Sequence, residues 1–200
     1  MLALVALANP SPLSLTHAMA DAAGRVLAGR GYEVASHDLY AEGFDPVQRT
    51  GERDDTASPD ALVERHCAEL ARADLILVFH PNWWGQPPAI LKGWVDRVFR
   101  LGTAYGYPPG VRPEGVPVGL LRARHALVVN TSNTPAEREV RAFGDPLDTL
   151  WRRCIFGLCG VDSVERRTYG PVSGSSPRQR AAWVAEVAGL AERAARLGTR

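Results

Sequence analysis

The chain has 200 residues, 46% apolar and 22% charged, with a formal net charge of +1, which fits one domain with a sizeable core. This balance excludes the basic footprint of a nucleic-acid binder and the acidic face of a small electron carrier. No apolar run is long enough to cross a bilayer, and Met1 to Ala8 lacks the basic residues of a signal peptide, so a cytoplasmic protein is expected. Cys67, Cys154 and Cys159 form no CxxC pair and have no histidine at metal-ligand spacing, so reduced thiols and no metal site are expected.

The elements alternate along the chain. Leu2–Ala8 is a continuous apolar run, as in a strand covered on both faces. Apolar residues then recur at helical spacing from Leu15 to Gly29, and Gly29-Arg30-Gly31 supplies the stop. Tyr32–Asp38 alternates like a short, less buried strand. Residues 41–58 are polar, rich in Gly, Asp and Arg, and form a surface excursion.

Ser58-Pro59-Asp60 opens a helix to Arg72, and Asp74–Phe79 is a second buried strand ending at His80-Pro81. A helix is expected from Pro88 to Leu101, then a Gly/Pro-rich loop over 102–117. Ala126–Val129 reads as a strand, Pro146–Leu158 as a helix, Ser163–Tyr169 as the last strand and Ser176–Leu197 as a closing helix. No repeat or linker divides residues 1–200. Strands alternating with helices predict an α/β three-layer sandwich, and right-handed crossovers leave few topologies. A five-stranded parallel sheet of flavodoxin-like order 2-1-3-4-5 is the common solution at this size.

In that order the strand sequence reverses between strands 1 and 3, and ligands sit there, beyond the carboxyl ends. Three loops meet at this point: Asn9–Thr16, His80–Pro87 and Asn130–Pro135. The first, NPSPLSLT, runs into a helix, so Ser14 and Thr16 offer hydroxyls beside free backbone N–H groups, a phosphate-type site without lysine. Ordinary N-capping by Ser14 explains the same residues.

The second loop, HPNWWGQPP, carries the sharpest signal. Trp83 and Trp84 follow a buried strand directly, and successive side chains there face opposite ways, so both cannot enter the core. Three prolines and Gly85 stiffen the loop, which suits a flat heterocycle with alternating donors and acceptors. Packing of the tryptophans under a neighbouring loop is the plainer alternative. The third loop, NTSNTP, offers small hydrogen-bonding groups that ordinary turn chemistry also explains.

His80–Arg100, HPNWWGQPPAILKGWVDRVFR, resembles the signature of the NAD(P)H dehydrogenase (quinone) family. That family's hallmark is a proline, an aromatic pair, then PAILKGW and an acidic-Arg-Val-Phe continuation; Pro88–Trp94 and Asp96–Phe99 follow it closely. Asn9, Ser14, Leu15 and Thr16 are similar to its phosphate loop, and Thr131, Ser132, Asn133 and Thr134 stand where relatives hold the flavin's far edge.

The resemblance implies a homodimeric flavoprotein, FAD favoured over FMN, that moves hydride from NAD(P)H through flavin N5 to a quinone or similar small electrophile by a ping-pong mechanism. Pro81, Asn82, Trp83, Trp84 and Gly85 would hold the isoalloxazine, and Ser14, Leu15 and Thr16 the phosphates. The chemistry belongs to the flavin, the protein supplying position and electrostatics. Some relatives are instead ancillary regulatory subunits of membrane transport systems, which is the alternative function.

The Tyr and His that well-known quinone reductases carry after the fourth strand's loop are missing from TSNTPAEREVRAFGDP. Tyr105 and Tyr107 are the remaining pocket candidates. His80, at a strand end, reads as an orienting residue, Lys92 and Asp96 as a surface pair, and Asp148, Trp151 and Arg152 as core or interface. A phospho-acceptor receiver shares the topology but needs acidic residues where Asn9-Pro10 and His80-Pro81 stand.

Overall fold

The computed structural model describes residues 1–50, 52, 60–108, 110 and 115–198. Seven strands are described: β1 (Leu2–Leu7), β2 (Glu33–Asp38), β3 (Leu75–Pro81), β4 (Tyr105–Gly106), β5 (Val118–Gly119), β6 (His125–Thr131) and β7 (Ser163–Tyr169). The helices are α1 (Leu15–Gly29), α2 (Ala61–Arg72), α3 (Ala89–Val98), α4 (Ala136–Phe143), α5 (Pro146–Thr149) and α6 (Pro177–Leu197), with a π-helical segment at Leu150–Gly157. The main sheet has the order β2-β1-β3-β6-β7, all parallel, as the sequence predicts.

The apolar strands bury alternate residues on opposite faces. Leu4, Ala6, Ile76, Val78, Ala126 and Val128 meet α2, α3 and the π-helical segment. Ala3, Val5, Leu7, Leu77, Phe79 and Val129 meet α1 and α6. Each fully buried Val, Leu or Phe contributes about 1.5–3 kcal/mol before the entropy of ordering is counted. Ser14 caps α1 and Ser176 caps α6, while Gly31, at φ 82°, turns the chain after α1.

The predicted opening Ser58-Pro59 lies outside the described residues; Asp60 caps α2 by accepting from the Leu62 N–H. Gly93 of α3 explains the glycine of PAILKGW. A Cβ there would stand 2.2 Å from the Pro46 carbonyl oxygen, so the missing side chain lets residues 45–46 lie on the helix. Arg97, one turn on, is fully buried and holds Glu52 at 2.6 and 2.9 Å and the Asp45 carbonyl at 2.6 Å.

Four expectations are corrected. The fourth strand of the sheet runs on through Asn130 and Thr131, because their polar side chains are buried and partnered. Pro146–Leu158 is not one α-helix: α5 passes into the π-helical segment. The 102–117 loop carries β4, which pairs with β5 in a two-residue ribbon. And α4 forms between Pro135 and Pro146, where no element is predicted; it buries no residue and so carries no core-facing apolar stripe.

Candidate active site

The three loops meet at the carboxyl ends of β1, β3 and β6. There, a cavity of about 270 Å³ is lined by Asn9, Ser14, Leu15, Thr16, Pro81, Asn82, Trp83, Thr131, Ser132, Asn133 and Thr134, with Val172. A larger cavity of about 520 Å³ adjoins it and is lined by Trp84, Gly85, Gln86, Arg138, Glu139, Phe143 and Pro146. Asn82 and Thr134 border both.

The first loop is fixed from inside. Asn9 Nδ2 donates to Thr16 Oγ1 at 3.1 Å, and that buried hydroxyl lies 3.1 Å from Thr131 Oγ1. Asn9 Oδ1 accepts the Ser11 N–H at 3.0 Å. Ser14 Oγ accepts the His17 N–H at 3.3 Å as the α1 cap. The Leu15 and Thr16 N–H groups have no carbonyl one turn earlier to bond, and they bring the positive end of α1 to the cavity.

The second loop is a tight turn. Trp83 and Gln86 exchange N–H to C=O bonds of 3.0 and 2.9 Å across Trp84 and Gly85, whose φ values are 56° and 70°. Two successive positive φ values define a type I′ turn, which strains a residue as bulky as tryptophan. Trp84 is fully exposed at 101%, so no core contact offsets the strain. A Cβ on Gly85 would come within 2.7 Å of Pro146 Cγ, so glycine is required there for contact as well as for φ.

Beneath the turn, His80 is fully buried. Its Nδ1–H donates to the Pro81 carbonyl at 2.8 Å, and its Nε2 accepts from Asn130 Nδ2 at 2.8 Å and Trp151 Nε1 at 3.0 Å. These partners define the neutral tautomer, and burial pushes its pKa down to about 4. It orients the loop and has no proton to give to the cavity.

Asn130 Oδ1 in turn accepts from Arg166 at 2.9 Å, and the same guanidinium reaches Thr168 Oγ1 at 2.9 Å and pairs with Asp145. Arg166 was not a sequence candidate; an arginine inside a strand, sharing a face with Val164 and Thr168, was its signal. Arg138, Glu139 and Phe143 were also unforeseen, since α4 itself was.

Tyr105 and Tyr107 line neither cavity. Tyr105 is held in the β4–β5 ribbon with its ring packed on the core, and Tyr107 is exposed beyond it. Lys92 and Asp96 form a 2.5 Å pair, half-exposed, on α3. Cys67, Cys154 and Cys159 are free thiols; burial raises Cys67 to about 11 and Cys159 to about 12.

A second buried polar group lies at the edge strand β2, on the sheet face covered by α2 and α3. His37 holds Glu42 Oε1 at 2.8 Å and Glu69 Oε2 at 2.5 Å, and its ring stands 3.8 Å from that of His66. Among the described residues, His37, Glu42 and His66 stand close enough to share a metal ion. The tautomer argues against one. Trp94 Nε1–H donates to His66 Nδ1 at 2.9 Å, so neutral His66 carries its proton on Nε2, which faces Glu42 Oε2 at 3.3 Å.

The sheet order and a cleft at its switch point define a doubly wound α/β domain, a fold whose ligands sit beyond the carboxyl ends of the strands. The chain belongs to the family described as flavodoxin-like fold, which residues 1–191 match. It is 36% identical over 126 residues to the NAD(P)H dehydrogenase [quinone] 1 of Rattus norvegicus, covering 52% of this chain and 45% of that one. An FMN-dependent NADH:quinone oxidoreductase of Cereibacter sphaeroides is 34% identical over 124 residues, covering 60% and 55%. The chain therefore spans about half the length of these curated relatives. The solved structure of Smu.1420 from Streptococcus mutans superposes with a TM-score of 0.83 at 28% identity, covering 96% of this chain and all of that one.

Proposed function

We propose that this protein is a flavin-dependent NAD(P)H oxidoreductase that passes reducing equivalents to a quinone or similar small electrophile. The carrying observation is the joined pair of cavities: a polar one at the α1 N-terminus and a larger one walled by Trp84, Phe143 and Pro146, sharing Asn82 and Thr134. The chemistry of the lining fits a phosphorylated flavin. Hydroxyls and free amides of Ser14, Leu15 and Thr16 suit phosphate, and the Asn82 side-chain oxygen is buried without a hydrogen-bond partner, which costs free energy unless a ligand supplies one.

In this reading Asn9, Ser14, Leu15 and Thr16 hold the phosphate end. Pro81 to Gly85 and Thr131 to Thr134 hold the ring edges, and His80 locks the first of these loops. When bound, the flavin supplies the hydride chemistry between nicotinamide and acceptor. The larger cavity takes the two substrates in turn, which gives ping-pong kinetics. A relative named as FMN-dependent makes FMN the first cofactor to test, with FAD, favoured by the signature, beside it. The exposed apolar residues Val116, Val118 and Leu120, in and beside β5, support a homodimer.

Protein reconstituted with FMN or FAD should be yellow, bleach anaerobically on adding NADH or NADPH, and recover its colour with a benzoquinone. A protein that retains neither flavin overturns the proposal.

A further inference from the structure

His17, in the first turn of α1, joins two sites. Its Nδ1 lies 2.8 Å from Ser14 Oγ, on the cavity side, and its Nε2 lies 2.9 Å from Asp38 Oδ2 at the end of β2. Asp38 can only accept here: its Oδ1 already takes the N–H groups of Tyr40 and Ala41 at 3.1 and 3.2 Å. Nε2 must therefore carry a proton, and neutral His17 leaves Nδ1 bare. The Ser14 hydroxyl then points its hydrogen at Nδ1 and shows the cavity only lone pairs, which repel an anion. A second proton on the ring reverses this bond: Nδ1–H donates to Ser14 Oγ, and the hydroxyl hydrogen is released towards the cavity.

We infer that His17 is a positioning residue that couples uptake of one proton to binding of a phosphate at Ser14. The inference rests on the flavin reading of the cleft and adds to it a direction of pH dependence. Proton access is separate from ligand access. His17 and Asp38 open on another cavity, of about 240 Å³, with Asn9, Pro10, Pro12, Tyr40 and Ala41, whereas Ser14 faces the ligand side. The titratable groups bordering the ring are Asp38 from β2 and Tyr40 from the loop after it; burial raises Tyr40, which stays neutral near pH 7. Because the complex holds the extra proton, phosphate affinity rises on acidification and falls as pH increases, by up to about tenfold per pH unit for one linked proton.

Asp38→Asn gives a variant that a purely structural role would not predict. Its amide turns a donor towards His17 Nε2, so the neutral ring places its proton on Nδ1 and frees the Ser14 hydroxyl at every pH. The test is the dissociation constant of the apo-protein for FMN, and for riboflavin, which lacks phosphate, between about pH 6 and about pH 8. Titration of the FMN phosphate itself is common to both proteins. The expected result is that FMN affinity of the unaltered protein falls more steeply with pH than that of D38N, while riboflavin binds both alike. A His17→Asn variant, whose amide donates to Ser14 permanently, should also lose the dependence. Equal pH profiles for the unaltered protein and D38N, or a difference that appears with riboflavin too, would overturn the coupling. Binding of neither flavin at any pH overturns instead the flavin reading on which it stands.

Discussion

Two polar constellations are built on this sheet, one at the edge strand β2 and one beyond the carboxyl ends of β1, β3 and β6, and they differ in what they leave open. Around His37 the polar groups face one another: both of its ring nitrogens meet carboxylates, and His66 is held between Trp94 and Glu42. In the cleft, every fixed group supports another that is left open. His80 fixes Pro81 and Asn130, Thr16 ties Asn9 to Thr131, and Ser132 Oγ accepts the Thr134 N–H, yet the Asn82 oxygen, the first amides of α1 and Thr134 line a cavity. Glu42 Oε2 and His66 Nε2 also lack a hydrogen bond, but they face each other at 3.3 Å, whereas the unmatched Asn82 oxygen lines a cavity that a ligand can fill.

The comparison can be broken most directly at His37. His37→Leu leaves Glu42 and Glu69 without their shared partner and should cost about 3–5 kcal/mol of stability, read by chemical denaturation, with flavin affinity of the surviving folded protein unchanged. A large loss of affinity with little loss of stability would reverse the roles assigned to the two regions.

Acid should reach both. Burial, with the neighbouring His37 charge, lowers His66 to about 3, and burial lowers His80 to about 4. The unfolded chain takes these protons near the ordinary imidazole value of about 6.5, while the folded protein refuses them until far lower pH. Their effect is therefore absent above that value, and stability falls as pH drops through it. His80 alone loses roughly 3 kcal/mol by about pH 4. Thermal melts between about pH 7 and about pH 5 should show the decline, and His66→Phe should flatten part of it.

In the cleft the larger effect should be on binding. Thr16→Val removes one hydroxyl that links Asn9 to Thr131, at about 1 kcal/mol of stability, and FMN affinity should fall about tenfold by fluorescence titration. The smallest effect is of opposite sign. Trp84→Gly relieves a positive φ at a fully exposed residue and should stabilise the fold by about 1 kcal/mol, raising the melting temperature by about 2–4 °C, while raising KM for the acceptor.

The sheet was legible because Leu2–Leu7 and Leu75–Phe79 are apolar on both faces, which only a covered parallel sheet accommodates. The cleft was legible for a separate reason, since strand order alone says which loops converge. What was hidden lacks a periodic signal. α4 reads as polar because nothing covers it. The π-helical segment depends on an i to i+5 register that no spacing announces. Arg166 looks like a surface charge until Asn130, Asp145 and Thr168 close around it.

α4 has a consequence for how such a protein can change. It forms one wall of the larger cavity through Arg138, Glu139 and Phe143, yet contributes no residue to either core cluster. Its sequence is therefore nearly uncoupled from the folding equilibrium, and its amides should exchange with solvent far sooner than those of β1 or β3. On the proposed function, acceptor preference can drift on this helix without a toll on foldedness, and a library randomised at 138, 139 and 143 should keep most of its members intact while spreading their substrate choice.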